Sequence, residues 1–306
     1  VRVLIFHGYL LDGTGSNVYN ARLAAALVTL GHDVHLLSQD RHPEHQPFVD
    51  AIGHWDAREL EVGDAHLEGA GREQAPGRGR CTVYRPNIGG LLPVYVADCY
   101  EGLEARTFAQ CSDSEIVSYI DANVAAVGEL LELVRPQLAL ANHLVMGPVI
   151  LARGLRGKVP YAVKVHGSAL EYTVKPQPER FLALAREGLA AANTVLVGSR
   201  HTAASLWEAI GDEELPLRTR LGPPGVDVQR FAPREPETAA RGLRALATRL
   251  LVSAEESQTH SPSEPDEGAF ARDGLAAAKA LDRLDPDRDV LVSYVGKLIV
   301  SKGVDL

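Results

Sequence analysis

Cysteine is scarce. Cys81, Cys99 and Cys111 are scattered, and no two of them form a Cys-x-x-Cys pair. An odd, dispersed set supports neither a disulfide framework nor a zinc site, and it fits a reducing cytosol, so a cytoplasmic location is expected. Cys99 has no visible base partner, which leaves a thiol nucleophile unsupported. The apolar start, residues 1–7, is too short to span a bilayer, and no run of about 18 apolar residues follows anywhere. No membrane-spanning helix and no signal peptide are therefore expected. Methionine is missing from position 1, so the start is expected to be trimmed. Basic charge is in the minority: 31 Lys and Arg against 40 Asp and Glu give a net charge of −9. A field of that sign repels phosphate backbones and argues against nucleic acid as a partner.

What is present is ordinary in bulk and patterned in detail. The chain has 306 residues, 45% hydrophobic and 23% charged. That length favours two domains, and that composition permits a large core. Residues 1–6 (VRVLIF) are continuously apolar, as in a strand covered on both faces. A polar, Gly-containing loop, a helical pattern over 18–30 and a second strand over 34–37 complete a βαβ unit. Residues 41–80 are rich in Gly, Pro and His with weak periodicity, and read as an irregular insertion with one short helix.

Residues 113–135 form a clear amphipathic helix, with Ile116, Ile120, Val124, Val127, Leu131 and Val134 spaced by threes and fours. Ser112 or Asp113 can cap it and Pro136 follows its end. Strands over 138–141, 161–165 and 194–197 then alternate with helices over 147–154, 178–191 and 202–210. The expected fold class is α/β, with a doubly wound parallel sheet in the first domain. Pro223-Pro224-Gly225 is a hinge candidate, so the domains are set at 1–222 and 223–306. Helices over 236–256 and 274–284, a polar loop over 257–267 and a buried strand over 289–295 follow. That strand is read as the start of a second Rossmann-like domain.

Three places carry chemistry. Gly13, Gly15 and Ser16 precede the first long helix. Glycines let a ligand approach the backbone, and a helix N-terminus with free N–H groups suits phosphate. The bland alternative is a tight βα turn. The loop lacks the third glycine of a dinucleotide fingerprint, which weakens a nicotinamide dehydrogenase. Asn142-His143 and His166 end successive strands, at the sheet edge where ligands bind in open α/β folds. Lys297 and Lys302 flank a short loop between Gly296 and Gly303, just after the last strand. His42, His45, His54 and His66 lie in the loop-rich insertion, where Pro43 breaks any helical ligand spacing, so no metal site is expected. Arg241, Arg244 and Arg249 line part of one helix and are read as a solvated face, so membrane association is not indicated.

In order and spacing, GTGSNVYNARLAAALVTLGHDVHLLS, NHLVMGP, KVHGSALEY, VGSRHTA, PPGVDVQRFAP and YVGKLIVSKGVDL resemble glycosyltransferase family four, whose architecture is GT-B. The resemblance covers nearly the whole chain except the His-rich insertion and residues 236–287. It implies a retaining transferase that moves a sugar from a UDP- or GDP-sugar to a hydroxyl on a sugar, lipid or small molecule. It implies donor contacts at Gly13, Gly15, Ser16, His166, Gly296, Lys297, Lys302 and Gly303. Acceptor contacts are implied at Asn17, Tyr19 and Glu171. It also implies a histidine near the reacting carbon. An alignment anchored on Gly147 puts Asn142 in that slot, and a one-residue shift restores His143, so both are carried. The two lysines would neutralise the departing diphosphate, so no cofactor is expected and no metal is expected to be essential. The family's paired glutamates are not found here, so the chain is expected to be incomplete and inactive alone. A GT-B UDP-sugar epimerase and a non-catalytic glycan- or nucleotide-sugar-binding domain stand as alternatives.

Overall fold

A computed structural model describes residues 1–56, 59–65, 76–97, 100, 102–259, 273–285, 288–289 and 292. Two compact units divide between Pro224 and Gly225. The first is built on a nine-stranded sheet. Its elements run β1 (Arg2–Phe6), α1 (Gly15–Thr29), β2 (Asp33–Leu37), a 3-10 turn at Pro43–His45, β3 (Ala51–Asp56), β4 (Glu59–Asp64), β5 (Cys81–Arg85), β6 (Leu91–Val94) and β7 (Glu104–Thr107). There follow α2 (Asp113–Val134), β8 (Leu138–Asn142), α3 (Gly147–Leu155), β9 (Tyr161–Val165), α4 (Gly167–Ala169) running into a π turn at Leu170–Val174, and α5 (Pro178–Ala190). Then come β10 (Thr194–Val197), α6 (Arg200–Ile210), α7 (Leu215–Arg218) and β11 (Thr219–Leu221).

The strand order is β11-β10-β9-β8-β1-β2-β5-β3-β4, and every pairing is parallel except β3 with β4. β6 and β7 form a separate parallel pair. The apolar run of β1 explains the layering. Alternate residues of a strand face opposite sides, so Val3 and Ile5 share a core with Ala21, Ala24 and Val28 of α1. Leu4 and Phe6 share one with Ile120 and Val127 of α2 and Val149 and Ile150 of α3. Each fully buried side chain of this kind contributes about 1.5–3 kcal/mol. Helices thus cover both faces of the sheet, as a doubly wound fold requires.

Helix starts follow their caps. Ser112 accepts from the Glu115 amide while the Glu115 carboxylate accepts from the Ser112 amide, a capping box that fixes the start of α2. Ser199 does the same one-sided duty for α6. Close approach is set by glycine. A Cβ on Gly188 would come within 2.6 Å of Pro148 Cβ and the Val149 amide, and one on Gly154 within 2.5 Å of Val127. α3 therefore lies close against both α5 and α2.

The insertion over 41–80 differs from its sequence reading. Its short helix is the 3-10 turn, but the segment also supplies β3 and β4, and β5 follows at once. β4 is exposed along nearly its whole length. A strand with no buried face has no apolar alternation to read. Pro43 sits at the first position of its turn, where the missing N–H costs nothing.

The second unit has α8 (Pro236–Thr259) and α9 (Gly274–Asp282), with Ala240, Ala247 and Ala278 buried. Most of the strand expected over 289–295 and most of the 257–267 loop lie outside the described residues, and the first three residues of that loop instead continue α8. No described helix is long and apolar enough to cross a membrane.

Candidate active site at the sheet switch point

From β1 the chain builds the sheet first toward β2 and β5, then returns to add β8, β9, β10 and β11 on the other side. The gap beyond the ends of β1 and β8 is therefore a topological switch point, where open α/β sheets form their ligand crevice. His7 follows β1, Asn142 ends β8 with His143 after it, and His166 follows β9. The start of α1 reaches the same edge, because it follows β1 through a short loop.

One chain of hydrogen bonds joins these ends. His7 Nε2 lies 2.9 Å from the Leu10 carbonyl and 3.1 Å from Asn17 Oδ1. Both are acceptors, so Nε2 carries the proton. His7 Nδ1 then accepts from Asn20 Nδ2 at 3.0 Å, and the same amide donates to the Ser16 carbonyl at 2.8 Å. Asn20 Oδ1 accepts from Asn142 Nδ2 at 2.5 Å. Asn142 Oδ1 in turn accepts from His166 Nε2 at 3.3 Å. Asn17 Nδ2 donates to the Asp12 carbonyl at 2.6 Å, which braces the glycine loop. Asn20 has no exposed surface, and Asn142 and His7 have almost none. Satisfying their polar atoms internally is what makes such burial tolerable.

His143 is the exception. It is 2% exposed, and both of its ring nitrogens lack a partner among the described residues. Its ring centroid lies 4.5 Å from that of Tyr95, 4.9 Å from His166, 5.4 Å from Tyr9 and 6.2 Å from His7. Its φ of 67° is left-handed, a region costly for a residue with a Cβ. Strain and an unmet hydrogen-bonding demand coincide at one residue, a combination associated with functional sites.

The cluster is electrically neutral. Burial pulls the His7 pKa down to about 4 against the opposing bonds to Leu10 and Asn17. Burial, then the charges of Lys164 and His7, take His166 to about 4. Burial, then His166 and His7, push His143 well below the ordinary imidazole range. Tyr9 and Tyr95 are raised well above the usual phenol value, chiefly by burial. Tyr95 OH donates to the Val145 carbonyl and Tyr9 OH to the Pro93 carbonyl, the latter at 2.9 Å. Lys164 is the neighbouring cation. It pairs in register with Asn142, donates to the Gly222 carbonyl, and holds Nζ 5.5 Å from the Tyr19 ring centroid.

The sequence-derived residues fall into four groups. Asn142, His143, His166, Asn17 and Tyr19 come together here, Tyr19 through a ring contact with His166 at 5.5 Å. Gly13, at φ 81°, Gly15 and Ser16 form the loop and first turn of α1 beside them. A Cβ at Gly15 would meet nothing within 4 Å. Glu171 stands apart from the hydrogen-bond chain: it accepts from Lys175 at 3.0 Å and from Ser205 at 2.6 Å. The Ser205 bond, then Lys175, hold its carboxyl below the usual range. Gly296, Lys297, Lys302 and Gly303 lie outside the described residues. Sequence reasoning missed His7, Asn20, Tyr9, Tyr95 and Lys164. The strand-end argument that found His143 and His166 applies equally to His7, which directly follows β1. Nothing in the sequence marked the others. Two concavities of about 380 and 390 Å³ lie elsewhere, and neither is lined by a residue of this cluster.

The family model described as "Glycosyl transferase 4-like domain" matches residues 14–219. No curated protein matches the chain. Among solved structures, it is similar to sucrose-phosphate synthase from Thermosynechococcus elongatus, with 16% identity and a TM-score of 0.49 over 92% of this chain and 66% of that one. It is also similar to an E. coli structure described as trehalose-6-phosphate bound with UDP-2-fluoro glucose, with 12% identity and a TM-score of 0.42 over 81% and 55%. A third is UDP-GlcNAc 2-epimerase from Neisseria meningitidis bound to UDP-GlcNAc, with 12% identity and a TM-score of 0.39 over 84% and 52%. The chain thus spans between about half and two thirds of these proteins.

Proposed function

The chain belongs to the glycosyl transferase 4-like family, and on that premise we propose that it serves a retaining transfer of a sugar from a UDP- or GDP-sugar to a hydroxyl acceptor. The observation that carries the reading is His143. A buried imidazole whose two nitrogens have no partner among the described residues, at the sheet switch point, is satisfied when a polyhydroxylated ligand enters.

Each part has a role in this reading. The start of α1 offers free N–H groups and room at Gly15 for a diphosphate. His143, held neutral by burial, contacts a sugar hydroxyl without placing a positive charge beside an oxocarbenium-like transition state. His166, oriented by Asn142, presents its unprotonated Nδ1 to the donor. Tyr19 and the loop at Asn17 border the acceptor, a sugar, lipid or small molecule, and the resemblance adds Glu171. The leaving diphosphate develops negative charge, which the resemblance assigns to Lys297 and Lys302 with Gly296 and Gly303.

No side chain in the hydrogen-bond chain from His7 to His166 is a carboxylate. In this reading none of these residues is assigned the role of a nucleophile. The acceptor oxygen bonds to the anomeric carbon as the carbon–phosphate oxygen bond breaks on the same face. The acceptor proton passes to the departing diphosphate, and configuration is retained. Holding both reactants in one crevice supplies the effective concentration.

The test presents the full-length protein with a panel of UDP-, GDP- and ADP-sugars and sugar and lipid-mimetic hydroxyl acceptors, assayed by nucleotide release and product NMR. Expected is a product with the donor's anomeric configuration, formed by the wild type and lost in His143→Ala with its circular dichroism unchanged. An inverted product would overturn retention. Isomerised sugar nucleotide without acceptor would assign epimerisation. Binding without turnover of any donor would assign a binding domain.

A further inference from the structure

We propose that His42, Glu44 and His45 form a site for a divalent transition-metal ion of the zinc class. The argument begins with the turn itself. Residues three apart eclipse on a 3-10 helix, and the turn at Pro43–His45 brings the flanking His42 into that relation with His45. Their rings stack at 5.2 Å between centroids, 18° from parallel. Glu44 reaches the same side, with Oε1 3.1 Å from His42 Nδ1. One ligand atom from each of the three lies within 4.8 Å of the others. Ligand atoms around a tetrahedral zinc ion stand about 3.3 Å apart, given bonds near 2.0–2.1 Å. The His42–Glu44 pair is already at that spacing. His45 closes the rest by rotating an exposed ring about its side-chain bonds.

The donor set selects the metal. Two imidazoles and one carboxylate suit zinc, cobalt or nickel, whereas calcium and magnesium take oxygen ligands. Three protein ligands leave a coordination position open to water. His42 and His45 are exposed and Glu44 is half-buried, so an ion has direct access from solvent.

The turn is also wired to the glycine loop. Asp40 Oδ1 accepts from the His42 amide at 2.9 Å, and Asp40 Oδ2 accepts from the Leu11 amide at 2.8 Å. One carboxylate therefore holds the start of the metal turn and the loop that leads to Gly13 and Gly15. β2 and β1 are neighbours, so both loops emerge at the same sheet edge. Filling the site fixes His42 and, through Asp40, limits the freedom of Leu11.

The test uses chelator-stripped protein titrated with zinc by calorimetry and with cobalt by visible absorption. Expected is one equivalent of either ion, unaffected by millimolar magnesium. His45→Ala and Glu44→Gln should each weaken binding by more than about 10-fold, and His54→Ala, a histidine paired with Glu61 on the neighbouring hairpin, should not. Hydrogen exchange at the Leu11 amide should slow on zinc addition in the wild type and not in His45→Ala. Absence of binding by the wild type, or equal affinity in His45→Ala with unchanged circular dichroism, would overturn the site.

Discussion

His7 links the architecture of the crevice to a measurable property of the whole unit. Burial holds its folded pKa near 4, against the bonds to Leu10 and Asn17 that favour protonation. Unfolded, the same imidazole titrates near ~6.5. Between those values the unfolded chain takes up a proton that the folded chain refuses. The contribution of His7 is therefore fully present above pH ~6.5 and is lost as pH falls through about 4. For one group with these two constants, the slope near pH 5.3 is about 1.2 kcal/mol per pH unit. The loss between pH 7.5 and 4.5 is about 2.5 kcal/mol, a large share of a net stability of ~5–15 kcal/mol. The assay is urea unfolding followed by far-UV circular dichroism at half-unit steps, for wild type and His7→Gln. Glutamine keeps a donor and an acceptor but does not titrate. The variant's stability should fall less steeply with acid, by about one proton's worth of slope, with the remaining slope set by the other buried histidines. Equal slopes in the two proteins would show that His7 is not held neutral by its burial.

Two further substitutions separate scaffold from site. Asn20→Ala removes the partners of His7 Nδ1 and Asn142 Nδ2 and leaves both buried; at about 1–3 kcal/mol for each orphaned group, unfolding should be easier by about 2–6 kcal/mol, and a urea-derived loss below ~1 kcal/mol would refute the network's importance. Gly15→Ala places a methyl where nothing lies within 4 Å, in the first turn of a helix, so the fold should be neutral or gain up to ~1 kcal/mol. If the diphosphate approaches that backbone, nucleotide affinity should fall in the same variant, and undiminished calorimetric binding alongside a raised Tm would remove Gly15 from the donor site.

How much of this was readable from the sequence depended on burial. β9 and β10 match their expected bounds, and α2 differs by a single residue. Those elements have continuous apolar runs, or apolar stripes closed by a capping residue. β3 and β4 fell in the stretch read as irregular, and β5, β6 and β7 were not read at all, although Cys81 and Val83 of β5 and Leu92 and Val94 of β6 are buried. β4 is solvent-exposed, β6 and β7 have four residues each, and the hairpin joins the sheet at its far edge. Pro43 shows the limit of a local rule. Proline does break an α-helical ligand spacing, yet at the first position of a 3-10 turn it pre-sets the conformation that stacks His42 on His45.

Asn142 and His143 show the same limit at the sheet edge, where their side chains lie in different surroundings. Strand alternation allows only one of two successive residues to face a given side, so a sequence reading had to treat them as rivals for one slot. Asn142 is the last residue of β8 and obeys the alternation. It faces α1, with one amide atom bonded to Asn20 and the other to His166. His143 leaves the strand at φ 67°, where the alternation no longer applies. Its ring turns among Tyr9, Tyr95 and His166, with no hydrogen bond to lose. Truncating Asn142 therefore strips partners from Asn20 and His166, a cost paid by the fold. Truncating His143 leaves every hydrogen bond of the described network intact but removes a buried ring from among Tyr9, Tyr95 and His166, so a loss of ligand binding or turnover reports on the site when the variant keeps the wild-type Tm.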